Sequence, residues 1–177
     1  MKSIVEGRKT IHELFVEAGQ IDRLFTGTTP TDLFRFSEAN GPLSDKMLMQ
    51  PFLADTPMPS GRVRSADVQR EEIPPGSKNF YVLPNMKMAL SLFDGPANLP
   101  KVGNHYVIPQ GVQIPPGLAI SRDRLNKHLG YTHYSTHAAM IMHELHYLFL
   151  LRRFAASAIP FAHWKSLFPE RAKNFNN

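Results

Sequence analysis

A chain of 177 residues, 42% hydrophobic and carrying 12 Phe, has enough apolar material for a folded core and too much for a disordered segment. It contains no cysteine, which excludes disulfides, a thiolate nucleophile and Cys-ligated zinc. The formal net charge of +5 favours an acidic partner, but the basic residues are scattered; even the densest run, Gly61 to Arg70, is followed at once by two glutamates.

In chain order, the start MKSIVEGRKTIHELF has no apolar h-region, and no window reaches the roughly 18 apolar residues of a membrane span. The expectation is a soluble protein that makes no membrane contact and carries no cleavable signal peptide. Residues 10–25 place Ile11, Leu14, Phe15 and Val16 on a helical stripe, with Gly19 as a stop. TDLFRFS (31–37) alternates as a strand does, and 38–77 reads as a long loop region punctuated by Pro, Gly and Ser. NFYVLP (79–84) is a strand, NMKMALSLFD (85–94) a short helix or helical turn, and HYVIPQGVQIPPGL (105–118) two short strands separated by Pro-x-Gly. YTHYST (131–136) adds a strand, HAAMIMHELHYLFLLRRFAASA (137–158) a long buried helix ended or kinked by Pro160, and FAHWKSLF (161–168) a last helix. The class is α+β: a small, mainly antiparallel sheet system in one domain, 1–177, with a helical segment over 1–30 and the core and C-terminal helices over 31–177.

Familiar motifs are mostly absent. In MHELH the two histidines, His143 and His146, stand three apart, where a zinc-protease helix needs four. His133 and His137 stand four apart, but on a strand that spacing separates them by roughly 13 Å, so no metal site is assigned. No G-x-G-x-x-G, P-loop or G-x-S-x-G pattern occurs. Arg35, in the middle of the apolar LFRFS, points either to solvent or to an anion such as a diphosphate, which its guanidinium fork matches.

One stretch resembles a known family. YVIPQGVQIPPGLAISRDRLNKHLGYTHYS (106–135) is similar to the type VI secretion exported toxins of the Tse-two type, which have an ADP-ribosyltransferase-like fold. The resemblance rests on Val107-Ile108-Pro109, Gly111, Ile114-Pro115-Pro116, Leu118, Asp123, Asn126, Leu129 and Thr132-His133-Tyr134, with SLFD (91–94) upstream. Weaker similarity covers LFRFSEANG (33–41) and RSADV (64–68), and the convincing part spans about a quarter of the chain.

The resemblance implies a split β-sandwich with a cleft between two small sheets. It implies a cytotoxic effector that uses NAD as co-substrate, as an ADP-ribosyltransferase or NAD-cleaving enzyme of the glycosyltransferase class. An acidic immunity protein would restrain it in the cytoplasm of the producing cell, and secretion machinery would deliver it to the target-cell cytoplasm, where it meets a macromolecular acceptor. On this reading Ser91, His133 and Tyr134 are catalytic candidates, and Arg35, Arg64, Phe93 and His105 contact NAD; His133 and Tyr134, adjacent on a strand, face opposite sides. Where the superfamily has its glutamate, this sequence reads Asn104-His105-Tyr106, so a carboxylate would have to come from elsewhere, Glu38 or Asp94. The alternatives are a nucleic-acid-acting toxin, such as a ribonuclease, and a non-catalytic interaction protein on the same scaffold.

Overall fold

The structure is a computed structural model that describes residues 4–37, 49–96 and 104–175. The N-terminal helix α1 (Ile11–Glu17) starts in a capping box, in which the Thr10 hydroxyl accepts from the Glu13 amide while the Glu13 carboxylate accepts from the Thr10 amide. Gly19, at φ +65, turns the chain out of the helix. A 3₁₀ turn at Ile21–Arg23 leads into β1 (Leu24–Phe25).

The main sheet has seven strands, all antiparallel, in the order β1-β9-β10-β7-β2-β8-β12. Here β2 is Leu33–Ser37, β7 Leu90–Phe93, β8 Asn104–Ile108, β9 Leu118–Asn126, β10 Tyr131–Ala138 and β12 Ile159–Pro160. A second sheet, β11-β6-β5, joins Met142–His143, Phe80–Leu83 and Gln69–Glu72, and a third pairs β3 (Thr56–Pro57) with β4 (Val63–Arg64). The helices that follow are α2 (Glu144–Ala155), α3 (Phe161–Leu167) and the single turn α4 (Pro169–Ala172). The α+β class is as expected. No helix among the described residues is long and apolar enough to cross a membrane.

Strand alternation divides the large sheet into two faces. The inner face carries Leu33, Ile108, Leu90, Leu92, Leu118, Ile120 and Tyr134, which pack with Val82 of the second sheet and with Tyr147, Leu151 and Phe154 of α2. Among the described residues, the outer face is roofed at its two ends. At one end Phe34 and Val107 pack under Trp164, Phe161 and Phe175; at the other Ala119 packs under Ile11 and Phe15 of α1. Between these roofs Ser91 is exposed and Phe93 and His133 are half-buried, while Ser135 and His137 of β10 are buried.

Several sequence expectations are corrected. Residues 85–94 form no helix: the Asn85 side chain accepts from the Lys87 and Met88 amides in an Asx turn, and the alternating Leu90-Ser91-Leu92-Phe93 becomes β7. The helix expected over 137–158 shrinks to α2. Ala138 pairs with Leu118, Met142–His143 pair with Tyr81–Val82, and the His143 imidazole caps α2 by accepting from the Leu145 amide. Leu145 and Phe149 are exposed, so α2 is amphipathic rather than buried all round. The region 49–77 holds β3, β4 and β5, the last made of the polar run Gln-Arg-Glu-Glu. The second arm of the Pro-rich stretch makes a single bridge, Gln113 to Thr28, before the strand resumes at Leu118. The Thr-His-Tyr strand pairs with β7 on one side and β9 on the other.

Candidate functional site

The large sheet has a seam. β2 and β7 register at one pair, Phe34 with Phe93, whereas β2 runs with β8 through five pairs. Beyond that pair β2 diverges from β7, and at the gap the Arg35 guanidinium donates to the Ser91 carbonyl at 2.8 Å. A side chain thus takes the place of a ladder bond. A cavity of about 310 Å³ opens beside the seam, lined by Phe34, Arg35, Phe36, Ser91, Phe93, His105 and Leu129.

Four of the seven sequence-predicted residues therefore meet in one place, though not on one face. Ser91, Phe93 and His105 belong to the outer face, with Phe36 across from His105. Arg35 alternates to the inner side, where Arg64, Asp67 and Tyr147 are its electrostatic neighbours. Burial lowers its pKa most, Arg64 adds to the lowering, and Asp67 and Tyr147 oppose it. So Arg35 reaches the cavity from the seam. Its charge is tied to structure, in contrast to an arginine waiting for phosphate.

His105 is 8% exposed, its ring lies 5.4 Å from that of Phe36, and its Nε2 is buried with no hydrogen-bond partner among the described residues. Burial holds its pKa below the ordinary histidine value. An unpaired buried nitrogen costs about 1–3 kcal/mol, and here it sits at the wall of a cavity.

His133 is the fifth residue at the site. Its ring meets Phe93 edge-on at 5.1 Å, as their register across β10 and β7 requires. Its Nδ1 lies 2.6 Å from a carboxylate oxygen of Asp123 on β9. Asp123 also accepts from Ser135 at 2.7 Å and from Ser121 at 3.0 Å. The Ser121 hydroxyl continues to His137 Nε2 at 2.7 Å, and His137 Nδ1 to the Asn85 carbonyl at 2.8 Å. Burial works against the Asp123 charge, but the bonds from His133, Ser135 and Ser121 outweigh it and hold the carboxyl below its usual range. Burial lowers the pKa of His137, which the Asn85 carbonyl partly offsets.

The other two expected site residues lie elsewhere. Tyr134 turns inward by strand alternation, is 6% exposed in the main core, and has its phenol pKa raised by burial. Arg64, on the β3–β4 hairpin, donates to Asp67 at 2.8 Å and lies over the Phe52 ring, away from the cavity wall. Of the two carboxylates considered, Asp94 accepts from the Thr132 amide, while Glu38 lies outside the described residues. The carboxylate at the site is Asp123. Its signal was present in the sequence: Ser121-x-Asp123 and His133-x-Ser135-x-His137 place polar residues at a strand's period of two.

Compared with known proteins, the chain matches no family model and no curated protein.

Proposed function

We propose that the protein is an NAD-dependent cytotoxic effector with an ADP-ribosyltransferase-like split sheet, acting as an ADP-ribosyltransferase or NAD-cleaving enzyme. One observation carries this reading: Arg35, Ser91, Phe93 and His105, far apart in sequence, converge on one aromatic-lined cavity at the seam. Its volume falls at the low end of ligand sites, roughly 300–1,000 Å³, which suits one ring and part of a sugar rather than a whole dinucleotide. Phe36 and Phe93 offer flat faces to a nicotinamide ring. The unpaired Nε2 of His105 offers an acceptor for its carboxamide.

NAD would supply the nicotinamide–ribose bond, whose cleavage builds positive charge on the sugar, as in glycoside hydrolysis. The Ser91 hydroxyl, exposed on the outer face beside Phe93, orients the sugar. His133, held by Asp123 through its Nδ1, presents Nε2 as the base that takes a proton from water or from an acceptor. The Asp123 carboxylate keeps that tautomer in place and favours the imidazolium that results. An acidic immunity protein, secretion machinery, delivery to a target-cell cytoplasm and a macromolecular acceptor belong to the same proposal.

The test is inducible expression of wild type beside Ser91→Ala and His133→Ala, following growth, cellular NAD and RNA integrity together. Loss of toxicity in both folded variants, with NAD falling only in wild type, supports the reading. Undiminished toxicity with unchanged NAD overturns it, and degraded RNA under intact NAD points to nucleic acid instead.

A further inference from the structure

A second, larger cavity of about 940 Å³ runs along the β9–β10 hairpin, with His133 on its wall. Since the His133 ring abuts Phe93, this groove begins where the aromatic cavity ends. Lys87, Arg124 and Lys127 line it, and none of the three has an ion pair among the described residues. Asp123 is the acidic residue of its lining, and that carboxylate already accepts from three side chains. A smaller depression beside it adds Arg23 and Arg122. The groove is therefore a concentration of uncompensated positive charge.

Two of the cations, Lys87 and Lys127, are carried on turns fixed by side chains, and Arg124 is carried on β9. Asn85 caps the Lys87 turn and is itself tied down: its amide donates to Gln69 at 2.7 Å and its carbonyl meets His137. Asn126 caps the hairpin turn, accepting from the His128 amide at 3.0 Å. Two preorganised turns thus bring ammonium groups to one groove from separate parts of the chain, with the Arg124 guanidinium on β9 between them in sequence, which lowers the ordering cost of binding an anion there.

We propose that this groove binds the diphosphate of a nucleotide whose ring occupies the aromatic cavity, with Lys87, Arg124 and Lys127 as its anion-binding residues. The proposal rests on the reading above for the ring but not for the anion. It assigns the phosphate role to the hairpin and leaves Arg35, which donates to the Ser91 carbonyl, at the seam.

The experiment is a titration of the labelled full chain, followed by NMR, with inorganic pyrophosphate, ADP and nicotinamide as separate probes. Wild type is compared with Arg124→Gln and Lys127→Gln, both substitutions at the surface. The expected result is that pyrophosphate and ADP bind wild type, each variant weakens them by about tenfold, and nicotinamide binding is unaffected. Pyrophosphate and ADP affinities that are equal in all three proteins overturn the proposal. So does a single-stranded RNA oligomer that binds in a Lys127-dependent way where ADP does not. If nicotinamide leaves Phe93 and His105 unperturbed while pyrophosphate still requires Arg124 and Lys127, the anion groove stands and the NAD reading falls.

Discussion

Replacing Asp123 by Asn keeps the shape of the side chain and removes its charge, which makes it the sharpest probe of the polar network. The carboxylate accepts from the His133 ring at 2.6 Å, from Ser135 at 2.7 Å and from Ser121 at 3.0 Å. An amide has one acceptor oxygen, so at least one of the three donors loses its partner. Bonds to a charged group contribute about 1.5–3 kcal/mol each. With the side chain 30% exposed, water recovers part of the loss, and the expected destabilisation is about 2 kcal/mol. For a chain of this length that corresponds to a fall in Tm of roughly 4–8 °C. The pH dependence has a definite sign. Because the folded carboxyl titrates below its unfolded value of about 3.9, its contribution is complete above that pH and is lost as the pH falls through the folded value. Urea unfolding of wild type and Asp123→Asn at neutral pH and across the acid range reads both quantities. The two proteins should converge on acidification. A difference below about 0.5 kcal/mol at neutral pH, or one that widens in acid, would refute the reasoning.

Four other outcomes follow. Phe34→Ala empties a site ringed by Phe161, Trp164 and Phe175 at centroid distances of 5.5, 5.5 and 5.2 Å, and should cost about 3–5 kcal/mol. Trp164 is the only tryptophan, so its emission should shift to the red if the C-terminal roof loosens. Tyr147→Phe removes a buried hydroxyl that has no hydrogen-bond partner among the described residues, so chemical denaturation should show stability unchanged or raised by up to about 1 kcal/mol. Gly95→Ala drives a methyl into the Tyr131 ring and should lower stability by about 1–3 kcal/mol, with relief in the Tyr131→Ala background if that contact is the cause. Burial depresses the pKa of His105 and of His137, so their stability contribution is complete above the unfolded value of about 6.5 and declines as the pH falls below it. Urea midpoints should therefore drop between pH 7 and 5, less steeply in His137→Gln.

Three strands were legible in the sequence although both of their faces are buried, Leu33 beside Phe34, Val107 beside Ile108 and Tyr134 beside Ser135. β2 and β10 alternate apolar and polar residues, and β8 ends at a proline, so the 2-residue period is visible without knowledge of any partner. β5 was not legible because nothing in Gln-Arg-Glu-Glu is apolar. It is held by distant charges, Arg70 to Glu144 at 2.8 Å and Glu71 to Arg8 at 2.8 Å, which a local pattern cannot reveal. The apolar run Ala138 to Met142 read as helix because its composition suits both structures, and tertiary pairing decided for strand. At the site, Ser91, Phe93 and His105 were legible as positions, but the face each would occupy depended on register. That is why Tyr134 and Arg64 were misplaced, and why Asp123, across a strand boundary from His133, was passed over.

The seam between β2 and β7 has a consequence for how the chain can be divided. One half-sheet holds β2, β8 and β12, the other β1, β9, β10 and β7. The backbone passes from one half to the other between β1 and β2, between β2 and β7, between β7 and β8, between β8 and β9, and again between β10 and β12. The halves share little backbone hydrogen bonding, yet they are laced together by the path of the chain. No single cut yields two fragments that each contain a complete half, and neither half can form until segments far apart in sequence have met. Such non-local pairing makes for slow folding. The lacing lets a gap persist in the middle of a sheet without turning the molecule into two separable pieces.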